Sequence, residues 1–191
     1  MTTENLKNPS VIVQPNPVDL DLAIATIQQG LGSLAWLEKI FGRAKEVTRV
    51  MPDNSRKREP MVYQGGKEYY PVLPNDALKA YCFFRSSSRG FDEFLPFAYS
   101  QYSRSDLDLI VWANLKKVDA AKDYIFTEEL LNEVIGVLGK VPDLEVIGVF
   151  DDRPEDIFSG YNINPTHREL LMYPYQAFRV ALNLRFKVAC A

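Results

Sequence analysis

The chain has 191 residues, of which 47% are hydrophobic, 25% charged and 12% aromatic, so it belongs with globular proteins and not with disordered chains. Its 22 basic and 25 acidic residues leave a net charge of -3, which excludes a strongly basic nucleic-acid binder. Cys82 and Cys190 form no CxxC pair and no Cys/His cluster, which argues against structural zinc. Two free thiols are the expectation, a single distal disulfide the other reading. Met1 to Pro17 lacks the apolar core of a signal peptide, and no apolar stretch approaches the ~18–20 residues that span a bilayer. A soluble protein of a reducing cytoplasm is expected.

Residues 1–15 read as an irregular lead-in. A helix is then expected from Asn16-Pro17, with Asn16 as N-cap and Pro17 at its first position. Ile24, Ile27, Leu31, Leu34, Leu37 and Phe41 carry its 3–4 spacing as far as Gly42. Gly30 and Gly32 mark a bend, or a break into two helices. Val47 to Met51 is strand-prone, and residues 53–60 form a polar loop containing Arg56-Lys57-Arg58. Met61 to Tyr63 and Glu68 to Tyr70 flank Gly65-Gly66, the signature of a hairpin, which Pro71 and Pro74 end. Tyr81 to Phe84 favours a strand, and Ser86 to Gly90 a flexible loop.

Asp106 to Leu115 alternates as a strand, with Leu107, Leu109, Val111, Ala113 and Leu115 on one face and Asp106, Asp108, Ile110, Trp112 and Asn114 on the other. Thr127 is the expected N-cap of a second helix with the apolar stripe Leu130, Leu131, Val134, Ile135 and Leu138, ending near Gly139. Leu144 to Phe150 is a short strand. Ala177 to Val188 is the clearest element: Phe178, Val180, Leu182, Leu184, Phe186 and Val188 face in, while Arg179, Asn183, Arg185 and Lys187 face out. Helices and strands are not regularly interleaved. The expected fold is therefore α+β: an antiparallel or mixed sheet with two main helices on one face. Residues 16–191 form one domain, with long loops at 86–105 and 151–176.

No catalytic, cofactor or metal site follows from these residues. His167, the single histidine, sits in the polar turn Asn164 to Arg168 and reads as a surface or capping residue. Asp151, Asp152, Glu155 and Asp156 surround Arg153-Pro154; a divalent cation is one reading, a solvated loop the simpler one. No phosphate-binding glycine motif is complete. Tyr63, Tyr69, Tyr70, Tyr99, Tyr102, Tyr161, Tyr173 and Tyr175 fall largely in loops or at hairpin ends, where tyrosine favours protein interfaces. Tyr63, Tyr69 and Tyr70, together with the cations Arg179, Arg185 and Lys187, are the candidate interface. The Asp151–Asp156 loop is a candidate acidic complement for those cations in a neighbouring subunit.

The element order resembles the small α+β proteins of tailed-phage neck and tail completion, the tail-terminator or minor-tail type. It runs from a helix at 17–42 through a strand and hairpin at 46–74, a central strand at 106–115 and a helix at 127–139 to a closing strand at 177–188. The resemblance implies a non-enzymatic, ring-forming subunit without cofactor. It would self-associate and contact neighbouring tail or head proteins, with no membrane and no specific nucleic-acid partner. A soluble module binding a peptide or small ligand is the alternative, and a metal-dependent enzyme using the Asp151–Asp156 loop the third.

Overall fold

The computed structural model describes residues 8–50, 53–54, 56–66, 68–91, 102–162 and 168–188. The fold is α+β, built on a mixed six-stranded sheet of order β1-β2-β6-β7-β9-β8 and an antiparallel three-stranded sheet of order β3-β4-β5. His167, Cys190 and Tyr99 lie outside the described residues.

β1 (Ser10–Ile12), α1 (Leu20–Leu31) and β2 (Lys39–Arg43) come first, and β1 pairs with β2 in parallel. Parallel neighbours need a crossover, and α1 supplies it. The lead-in thus contributes a strand. The helix is far shorter than the 17–42 reading. It starts after Asp19 at its N-cap, not Asn16, and Gly32 caps its end. Leu34 and Leu37 lie in turns that keep the apolar spacing without the helix. In β2, Ile40 and Phe41 are both buried, one on each face of the sheet. A strand buried on both faces shows no alternation to read.

β2 also pairs in parallel with β6 (Ala80–Phe91). The crossover between them is the small sheet, β3 (Lys45–Val50), β4 (Arg56–Gly65) and β5 (Glu68–Pro71). The expected polar loop at 53–60 is therefore mostly strand, because Arg56 to Pro60 pair with β3. Gly65 and Gly66 turn the β4–β5 hairpin at φ +95° and +58°, as read from the sequence.

β6 and β7 (Tyr102–Asn114) form a long antiparallel ladder, β9 (Tyr175–Lys187) follows, and β8 (Leu144–Phe150) closes the edge. Ser86 to Gly90 lie in this ladder and are not a loop; Ser86 pairs with Leu107 and Ser88 with Asp106. Ladder hydrogen bonds outweigh the poor strand propensity of serine and glycine here. Of the loop expected at 86–105, residues 86–91 and 102–105 are strand, and 92–101 lie outside the described residues. Leu115 opens the short α2 (Leu115–Val118) instead of ending β7. α3 (Thr127–Leu138) has Phe126 at its N-cap, so Thr127 is its first helical residue and makes no capping bond. Within 151–176, α4 (Pro154–Ile157) provides one further turn of helix.

α1 and α3 touch each other and cover one face of the large sheet. The aliphatic core lies there, between Ile24, Ile27, Leu130 and Val134 of the helices and Leu109, Val111, Val180 and Leu182 of the strands. The opposite face carries a second core: Phe41, Tyr81, Phe83, Ile110, Trp112 and Ala177 pack against Val62, Val72 and Leu73 of the small sheet and against Ile157 and Phe158. The expected polar side of β7 and β9 is therefore buried at this end.

Candidate functional site

Beyond Phe83 and Ile110 the second face turns from aromatic to charged. Asp108 projects there from β7 with its side chain only 5% exposed. An isolated carboxylate so placed would be costly, and two arginines neutralise it. Arg85 Nε and Nη2 donate to Oδ2 at 3.0 and 2.7 Å, and Arg179 Nη1 donates to Oδ1 at 2.6 Å. Arg179 Nε donates to the Asp156 carbonyl at 2.7 Å, and its guanidinium stacks 3.8 Å from the Phe150 ring. The Asp151–Asp156 loop is thus anchored to β9 within one chain. Gly160, at φ +83°, leaves room for Arg85 Nη1, which a Cβ would overlap. Burial pushes the Tyr161 phenol well above its ordinary range, while Arg85 beside it pulls the other way. All of these groups are engaged with one another, and the cluster is a structural lock.

Each candidate interface residue has a definite place. Tyr63 and Tyr69 face each other across the β4–β5 hairpin, ring centres 5.3 Å apart, and Tyr69 is 50% exposed. Tyr70 turns inward and stacks on Phe41 at 4.9 Å, and burial raises its pKa. Arg179 is committed to Asp108. Arg185 lies over the Tyr102 ring at 4.4 Å, and Lys187 is exposed. The three tyrosines belong to the small sheet and the three cations to the large one. Tyr161 and Tyr175 pack against the second core, Tyr175 stacked on Trp112 at 5.6 Å. Tyr173 is exposed and donates to Asp123.

In the acidic loop, Glu155 pairs with Arg168 at 2.7 Å, and Asp151 and Asp152 are exposed. Among the described residues no three His, Cys, Asp or Glu side chains converge where they could hold a metal ion. Cys82 is a buried free thiol whose pKa is raised by burial. Among the described residues no helix is long and apolar enough to cross a membrane.

The surface features that stand out are ones the sequence reading passed over. The first is the β8 edge. β8 pairs with β9 on one side and with no described strand on the other. Ile147 is 60% exposed at a bulge, and Val149 and Phe150 are also exposed. The signal in the sequence was LEVIGVF, one charge in seven residues. The second is an apolar groove of about 300 Å³ between α1 and the end of β9, lined by Leu22, Ala23, Val141, Pro142, Leu184 and Phe186 with Asp19, Asp143 and Lys187 at its rim. Leu22 interrupts the polar side of α1, a signal weak in isolation. No family model matches the chain, and no curated protein is significantly similar to it.

Proposed function

We propose that the chain is a non-enzymatic structural subunit of a tailed-phage or prophage particle, which self-associates into a ring and meets neighbouring tail or head proteins. On this reading it is made in the host cytoplasm and ends in the virion, and it needs no cofactor, membrane or specific nucleic acid. The observation that carries it is the β8 edge: an apolar strand that no described strand pairs on its outer side, with exposed Ile147, Val149 and Phe150. Monomeric proteins normally shelter such an edge, because it templates pairing with another chain. The element order read from the sequence resembles that of neck and tail-completion proteins and supports the particle assignment by analogy alone. Light scattering on the purified chain is the test. A discrete oligomer is expected, and a monomer at every accessible concentration would remove the reading.

The groove at Leu22 favours the second reading, a module binding an apolar peptide or small ligand. An anilinonaphthalene dye should then bind with saturation, and Leu22→Glu should abolish it. An unchanged titration would dismiss this reading.

A further inference from the structure

Resting on the assembly reading, we propose which surfaces meet: the β8 edge of one copy receives the β3 edge of the next, head to tail. The open edges of the two sheets are not equivalent. β1 has three residues and follows Pro9, and β5 has four and ends at Pro71. Short edges bounded by proline resist pairing. β3 has six residues, KEVTRV, nearly all exposed, and it pairs only with β4. β8 has seven, LEVIGVF, and pairs only with β9. Among the described residues these are the two open edges long enough to accept a strand.

Their charges are complementary. Around β8 four exposed acids, Asp143, Glu145, Asp151 and Asp152, outnumber two exposed cations, Lys140 and Arg153. β3 carries Lys45 and Arg49 on one face and the single acid Glu46 on the other, and Arg56 and Arg58 stand opposite it on β4. Arg49 is 55% exposed and makes only a loose 3.9 Å contact with Glu59. An antiparallel register that sets Arg49 opposite Glu145 also sets Val47 opposite Ile147 and Val50 opposite Leu144. Beyond the bulge at Ile147 the faces of β8 exchange, so Arg49 and Glu145 are the one ion pair that this register makes. Pairing β8 with a second β8 about Ile147 would instead oppose Asp143 and Asp151, two like charges. Pairing β3 with β3 would leave the apolar edge bare.

The bulge at Ile147 interrupts the ladder and shortens the main-chain run. The contact is therefore made as much by Ile147, Val149 and the Arg49–Glu145 ion pair as by strand hydrogen bonds. Because the two surfaces differ, the contact is heterologous and repeats from copy to copy, closing into a ring or growing as a filament.

The test uses the full chain with Glu145→Arg and Arg49→Glu, made separately and compared by sedimentation velocity. Both side chains are exposed, and unchanged circular dichroism confirms the fold. Each variant alone should need roughly tenfold more protein to associate, because like charges then face each other. An equimolar mixture of the two variants should assemble again, since each substituted edge meets an opposite charge. If the wild-type chain assembles and both variants assemble equally well, another surface carries the contact and the assembly reading stands. A mixture that stays monomeric overturns the pairing of these two edges. A wild-type monomer throughout overturns this proposal together with the assembly reading.

Discussion

The two faces of the large sheet bury their side chains by different physics. Under α1 and α3 the core is mainly aliphatic, with Phe84, Phe126, Phe178 and Phe186 among the aliphatic side chains, and helix stripes meet strand alternation. Under the small sheet it is aromatic, with Phe41, Tyr81, Trp112 and Tyr175 in ring contact at 5.4–6.1 Å. That core ends in a charged lock. The aliphatic face takes its stability from many replaceable contacts. The aromatic face concentrates it in a few large groups and one ion cluster.

Trp112→Ala should break the contrast most sharply. It empties the centre of the aromatic core and removes the donor to the Leu170 carbonyl, at a cost of about 3–5 kcal/mol in chemical denaturation. Asp108→Asn comes next. It leaves Arg85 and Arg179 facing each other without a counter-charge, and a loss near 3 kcal/mol is expected from the cost of breaking a buried pair. A variant as stable as the wild type would show that the cluster is not a lock. Gly160→Ala should cost about 1–3 kcal/mol, since it strains a positive-φ residue and displaces Arg85 from Asp108. On the aliphatic face the matching test is mild. Ile27→Val removes one methyl from a fully buried side chain and should cost about 0.5–1.5 kcal/mol.

The smallest effect is an acid titration. Hydrogen bonds from Ser88 at 2.6 Å and Asn183 at 2.9 Å hold the Asp106 carboxyl below its ordinary range. A carboxyl whose folded pKa is depressed stabilises the fold above its unfolded pKa of about 3.9 and loses that contribution as pH falls through the folded value. Ser88→Ala should therefore flatten the decline of the melting temperature on acidification below about pH 4. An identical decline would show that Ser88 does not set the Asp106 pKa.

The same division explains what was legible in the sequence. The aliphatic face was readable because α3, and β9 beyond Ala177, are buried mainly on one side and display their period. The α+β class followed from it. The aromatic face was not, because Ile110 and Trp112 share an alternation register with Asp106 and Asp108. One strand face thus crosses from core to charge along its length. Asp108, flanked by Leu107 and Leu109 within a strand, was the local sign of the lock. Arg85 and Gly160 come from distant segments and carry no such sign. β2 and the Ser86–Gly90 part of β6 were missed for a related reason: pairing with remote strands fixes them, against their local propensity. Of the candidate site, the cations of β9 were found, but their neighbours, which decide whether each one is available, were not.

Gln28 is almost fully buried in α1, and its amide donates to the carbonyls of Ile12 in β1 and Ile40 in β2 at 2.9 and 3.1 Å. A single amide thus stitches the N-terminal strand to the helix above it and the strand beside it. Proteolytic loss of the residues through Ile12 would remove one of its two acceptors, a hydrogen bond worth about 0.5–1.5 kcal/mol, together with the strand that covers it. The opening stretch, which resembles a dispensable tail, is instead a removable wedge: cutting it should loosen the helical layer and not merely shorten the chain.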